Sequence, residues 1–227
     1  MGSESQIVLT REQRQKDKMG KLEFLRSLFE KHKSDKETHG YAKYYALNIP
    51  DRLHSMLELG VMNGASAMAW KEFYGDDVEI YLADLFENED WVSEKWCRNR
   101  GFVPLKGNQA DLVFLETFPK NLSLIIDDCS HVPQFTIASF KHLFLHCLKS
   151  EKYYCIEDLH TNLPENKYYW TGAIQTFEDT LLWMLENFKE TGKIVNPYFS
   201  EGESRVFESI IDTVNIYERK IAFIKKK

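Results

Sequence analysis

The sequence contains no C-x-x-C pair: Cys97, Cys129, Cys147 and Cys155 stand apart, two of them in or beside apolar runs, so they read as small apolar fillers rather than zinc ligands. Cys129 alone sits in an acidic loop, where an exposed thiol would be reactive. Also missing is any uninterrupted apolar run approaching the roughly 18 residues of a membrane helix. The opening MGSESQIVLTREQRQKDK has no apolar signal-peptide core, so the cytoplasm is the expected location and no membrane partner is expected. Positive charge is not in excess: 29 Lys and Arg against 35 Asp and Glu give a formal charge of −6, which argues against a protein that grips phosphate backbones. Nucleic acid is not an expected partner, and the short basic end Lys225 to Lys227 does not reverse that. There is no G-x-G-x-x-G, no G-K-[ST] and no H-E-x-x-H, which weakens a dinucleotide reading and removes the P-loop and the helical zinc motif. No internal repeat or low-complexity tract is present.

What is present is alternation. With 227 residues, 43% apolar and 28% charged, the chain is expected to form one α/β domain preceded by an extension over residues 1–33. Residues 17–33 carry Leu22, Leu25, Leu28 and Phe29 at helical spacing, an amphipathic helix for docking on the body or on a partner subunit. SDKETHGYAKYY, Ser34 to Tyr45, reads as a lid or pocket edge, with an ordinary helix-to-strand connection as the alternative. From Ser55 the runs SMLELG, SAMAWKEFYG, VEIYLADLF, WVSEKWCRNRG, LSLIIDD, FTIASFKHLFLHCLK and KYYCIEDLH read as β-α-β-α-β-α-β, with a short strand near Phe102 to Leu105. A long helix over roughly Thr171 to Lys189 follows, and ESIIDTVNIYERKIAFIKKK reads as a closing antiparallel hairpin.

Two of these strands end in acid. IIDDCSHVPQ and YYCIEDLHT each stop at paired carboxylates followed by a histidine, and carboxylates placed there fall at the carboxyl edge of a parallel sheet, where open α/β folds bind ligands. If Asp127, Asp128, Glu157 and Asp158 converge, their mutual repulsion calls for a cation among them; the alternative is that they only cap the helices that follow. His131 then reads as a base or as a helix-start histidine bonded to a carboxylate, and His160 as a substrate contact or a loop histidine.

MLELGVMNGASAMAW has the form strand, E-x-G-x-x-x-G, helix, with Glu58, Gly60 and Gly64 at the turn, where glycine lets the backbone approach a ligand and the helix start offers free N–H groups. Asp84 ends the second strand, placed to accept hydrogen bonds from ribose hydroxyls. Gln109 and Asp111, after the third strand, are placed to read an adenine edge. Singly each is a surface turn; together they describe an adenosine pocket.

At these residues the chain resembles the class I S-adenosylmethionine-dependent methyltransferases. Within them IIDDCSH, CIED and DKETHGYAKYY resemble the metal-dependent sugar O-methyltransferases of the macrocin and mycinamicin type. The resemblance, running from about Ser34 to the C-terminus, implies a Rossmann-like sheet, mostly parallel with a C-terminal antiparallel hairpin and helices on both faces, and makes residues 34–227 the methyltransferase domain. It implies S-adenosylmethionine and Mg²⁺ (or Mn²⁺) as cofactors, metal ligands at Asp128, Glu157 and Asp158, and a catalytic base at His131. Cofactor contacts fall at Glu58, Gly60, Gly64, Asp84, Gln109, Asp127 and Tyr41, with Asp127 a cofactor or structural contact. The partner is a small-molecule sugar or glycoside acceptor, with a homo-oligomer to shape its pocket. Cys129 stands where the family has glycine, and Asn108 where it has aspartate. The competing expectations are a metal-independent small-molecule O-methyltransferase and a non-catalytic nucleoside-binding module.

Overall fold

The computed structural model describes residues 20–88 and 91–227; the first part of the expected extension, residues 1–19, lies outside them. Seven strands form one sheet: β1 (Ser55–Leu59), β2 (Glu79–Asp84), β3 (Val103–Lys106), β4 (Leu122–Asp127), β5 (Leu148–Ile156), β6 (Ile211–Tyr217) and β7 (Ile221–Lys226), in the order β3-β2-β1-β4-β5-β7-β6. β1 to β5 pair in parallel, and β7 runs antiparallel to both β5 and β6. All six residues of β4 are buried, as an apolar run covered on both faces requires. Its side chains alternate between two cores: Ile125 joins one with Phe140, Phe144 and Leu185, whereas Leu124 and Ile126 join the other with Phe29, Tyr45 and Trp70.

Helix α1 (Lys21–His32) precedes the sheet and buries Phe24, Leu25, Leu28 and Phe29. Phe29 meets Trp70 of α4 (Ala65–Tyr74) edge to face at 5.1 Å between ring centroids. Between α1 and β1 lie the short helices α2 (Asp35–Thr38) and α3 (Ala42–Asn48). Of the two readings of Ser34 to Tyr45, a lid or a pocket edge, the lid needs correcting, whereas Asp35 does line a cleft. Tyr41, Tyr44 and Tyr45 are buried, and Tyr45 packs edge-on against Trp70 and Phe223, because large rings that can satisfy their hydroxyls gain more from burial than from solvent.

The later helices are α5 (Glu94–Asn99), α6 (Leu112–Leu115), α7 (Pro133–His146), α8 (Leu181–Thr191) and α9 (Glu201–Ile210). α8 starts ten residues later than the periodicity predicted. Thr176 and Asp179 form a capping box around a 3₁₀ turn at Phe177–Asp179, and the Thr180 hydroxyl accepts from the Trp183 N–H. Two competing threonine caps thus divide the expected helix. α9 was not expected; its capping box of Ser200 and Glu203 opens a helix whose apolar stripe buries only Phe207. No helix among the described residues is long and apolar enough to cross a membrane.

Candidate active site

β1 runs into Gly60, whose φ of 86° is left-handed. A Cβ there would lie 1.9 Å from the Asp128 carbonyl oxygen, so the loop leaving β1 lies directly on the loop leaving β4. Gly64 caps α4 with φ 76°, and a Cβ would come within 2.4 Å of the Trp96 ring. At the tip of β2, Asp84 straps this loop: one carboxylate oxygen accepts from the Val61 N–H at 2.8 Å and the other from the Leu85 N–H at 2.7 Å. Gly60, Asp84, Asp128, His131 and Asp158 all line one cleft of about 440 Å³ at the carboxyl edge of the sheet.

The other expected contacts lie beneath that cleft. Glu58 is fully buried, accepts from the Trp70 indole N–H at 3.3 Å, and has its carboxyl pushed up by burial. Asp127 is equally internal, held by the Ser139 hydroxyl at 2.5 Å, the Tyr154 hydroxyl at 2.9 Å and the Gln109 amide at 3.3 Å. Burial pushes it up to about 6 despite these donors. Gln109 spends its amide oxygen on the Ser130 N–H at 2.9 Å, bracing the loop after β4, and Asp111 caps α6. The half-buried Cys129 thiol is pushed well above its ordinary value, first by burial and then by Asp127, which removes the reactive-thiolate reading.

The acidic residues of the two strand ends divide into two groups. In the interior, the ammonium of Lys36 lies 2.6 Å from Asp128 Oδ2, 2.7 Å from Glu157 Oε1 and 3.5 Å from Glu58 Oε1. Burial works against the lysine's charge, yet the three carboxylates raise it well above its ordinary value. Glu157 also receives the Tyr45 hydroxyl. Its carboxyl is pushed well up by burial and by the charge of Asp128, since one ammonium cannot neutralise three acids. Toward the cleft, Asp158 follows β5 in the left-handed region at φ 53° and accepts from the Tyr41 hydroxyl through Oδ1. Burial opposes its charge, but Tyr41 and the nearby imidazoles of His131, His39 and His160 hold it below the usual carboxylate range. His131 Nε2 stands 3.9 Å from Asp128 Oδ1 and 3.7 Å from Asp158 Oδ2, near both and hydrogen-bonded to neither.

Among the described residues, the donors that lie within 4.8 Å of one another are those of Asp128, His131 and Asp158. Lys36 occupies one Asp128 oxygen and Tyr41 one Asp158 oxygen, which leaves a second oxygen of each carboxylate beside the imidazole. Two hard oxygens and an optional nitrogen fit Mg²⁺ or Mn²⁺. Glu157 does not belong to this set. Lys36, Tyr45 and His39 were not singled out from the sequence; Lys36 and His39 stand in the DKETHGY segment, whose charged turn was the available signal.

No protein-family model matches the chain, and no curated protein matches it by sequence. Solved structures do. MycE methyltransferase from the mycinamycin biosynthetic pathway, in complex with Mg, SAH and mycinamycin VI, matches with a TM-score of 0.70 at 23% identity, over 89% of this chain and 53% of MycE. A crystal form of MycE with Mg and SAH gives 0.65 at 22% identity, over 89% and 54%. The SAH-bound Podospora anserina methyltransferase PaMTH1 gives 0.50 at 14% identity, over the full length of both chains. This chain spans about half the length of MycE. At such identities the likeness is one of fold, and with the observed strand order it gives the chain the Rossmann-like class I methyltransferase fold.

Proposed function

We propose that the protein transfers the methyl group of S-adenosylmethionine to a hydroxyl of a sugar or sugar-bearing small molecule, assisted by a divalent cation and by His131 as base. The observation that carries this reading is that one cleft is bounded by Asp84 and the glycine loop on one side and by Asp128, Asp158 and His131 on another. A donor nucleoside and an acceptor can therefore meet within a single space. MycE, bound to Mg, SAH and mycinamycin VI, supports a cleft holding methyl donor, cation and small-molecule acceptor together.

Each residue then has a task. Three N–H groups already donate to Asp84, those of Leu85 and Phe86 to Oδ1 and that of Val61 to Oδ2, and the remaining lone pair of Oδ2 is available for a ribose hydroxyl. Asp128 and Asp158 would hold the cation, which would supply the Lewis acidity that lowers the pKa of an acceptor hydroxyl. His131 Nε2 takes the hydroxyl proton. The acceptor oxygen forms a bond to the methyl carbon as the carbon–sulfur bond breaks, leaving S-adenosylhomocysteine and an imidazolium. Because the donor is already activated, most of the acceleration required of the chain is alignment of sulfur, methyl and oxygen.

Titration calorimetry tests the donor half of this reading. S-adenosylmethionine should bind the wild-type chain, and Asp84→Asn should weaken it by about tenfold, the worth of one charged hydrogen bond. Affinity unchanged in Asp84→Asn, or no binding at all, would remove the adenosine assignment. Tight binding with no methylated product across a broad acceptor panel would favour the nucleoside-binding module instead.

A further inference from the structure

We infer that Lys36 is a built-in cation that withholds Glu157 from a divalent ion in the acidic cluster, leaving that ion to Asp128 and Asp158, with His131 beside it as the base. This rests on the proposal that a divalent cation works in the cleft. The geometry is specific. Lys36 is 1% exposed, sits in the single helical turn α2, and places its ammonium between Asp128 and Glu157 at 2.6 and 2.7 Å. Glu157 Oε1 accepts from both Lys36 and the Tyr45 hydroxyl, and the residue is 4% exposed. Asp128 lines the cleft, and Glu157 does not.

An ammonium has no lone pair to offer a metal and repels a divalent ion, so the two cations cannot share Glu157 Oε1. Asp128 serves both: Oδ2 faces the lysine and Oδ1 faces His131. Three carboxylates at two strand ends thus become one internal ion pair and a two-carboxylate seat. Lys36 is in this view a positioning residue: it fixes the Asp128 carboxylate in orientation and lowers the negative charge presented to the cleft. It also ties the chain before β1 to the ends of β4 and β5.

Mn²⁺ binding followed by electron paramagnetic resonance on the full chain tests this without reference to turnover. Asp158→Asn should weaken Mn²⁺ by at least about tenfold, while Glu157→Gln should change it by no more than about twofold. Lys36→Met should tighten Mn²⁺ by at least about tenfold, and adding Glu157→Gln to it should abolish that gain, because the freed carboxylate becomes the new ligand. Binding detected only after Lys36→Met would count against the inference, because the seat on Asp128 and Asp158 would then hold no ion in the wild type. The inference is overturned if Glu157→Gln weakens Mn²⁺ as much as Asp158→Asn does, if Lys36→Met leaves affinity unchanged or lowers it, or if neither chain binds Mn²⁺. Should Lys36→Met fail to fold, the comparison of Glu157→Gln with Asp158→Asn decides the matter alone. If the binding pattern holds and no methyl transfer is found, the proposed reaction fails and this inference stands.

Discussion

His131 adopts a left-handed φ of 57° in the loop after β4, a conformation histidine tolerates better than most residues, and this turns its imidazole toward Asp128 and Asp158. If it is the base, His131→Ala should lower kcat by about 10²- to 10⁴-fold and leave S-adenosylmethionine affinity within about twofold, as read by single-turnover kinetics and calorimetry. An unchanged rate would remove it from the chemistry. Gly60→Ala should be costly for a different reason. Its Cβ would collide with a backbone oxygen, which no side-chain rotation can relieve. Strain of about 1–3 kcal/mol should appear in the urea midpoint, together with weakened cofactor binding as the two loops separate; a midpoint equal to wild type would contradict the close approach. Gly60, Asp84, Asp128, His131 and Asp158, which share the cleft, could be picked out from the sequence because each stands at or just after a strand end within a local pattern. Lys36 was not, since its partners lie 92 and 121 positions away and no local spacing encodes that pairing. Glu58, Gln109 and Asp127 were placed at the right strand ends, but sequence could not say that their polar groups face inward, toward Trp70, Ser130 and Ser139.

Helix starts govern the elements that sequence misjudged. The strands stood out because buried parallel strands are continuous apolar runs, and β4 is buried throughout. The stretch before α8 also carried apolar residues at helical spacing, but local bonds from Thr176, Asp179 and Thr180 prevailed over it. α9 has too sparse an apolar stripe to register, and its cap defines it. Ser200→Ala should therefore cost about 1 kcal/mol in chemical denaturation. Glu203 adds a pH signature. A hydrogen bond from Lys141 at 2.7 Å holds its carboxyl down to about 2, from an ordinary 4.5, despite slight burial. Its folded-state value is depressed, so its contribution is full above about pH 4.5 and is lost as pH falls toward about 2. The pair is largely solvated, which limits the effect to under about 1 kcal/mol. The stability gap between wild type and Glu203→Gln should be present at neutral pH and close on acidification through that window; a gap independent of pH would contradict the assignment.

At the scale of the molecule, the alternation of strands and helices made the sheet class readable, and the closing hairpin identified the antiparallel edge now seen at β6 and β7. The extension expected over the first residues contains, in its described part, a helix that shares a core with the sheet. Phe29 is fully buried among Tyr45 and Trp70. Phe29→Ala should cost about 3–5 kcal/mol of global stability. A loss below about 1 kcal/mol would mean that α1 can leave the body without disturbing it. Joining α1, α2 and α3 to that core is also what carries Lys36 and Tyr41 to the sheet edge, so the site depends on chain that precedes the first strand. The central claim, cation-assisted methylation of a sugar hydroxyl, is tested most directly by mass spectrometry of nucleotide-sugar and glycoside panels incubated with S-adenosylmethionine, with Mg²⁺ or with excess EDTA. The account predicts a methyl addition to one acceptor class that appears with Mg²⁺ and is lost with EDTA; methylation equally efficient in EDTA, or none on any hydroxylated acceptor, would contradict it.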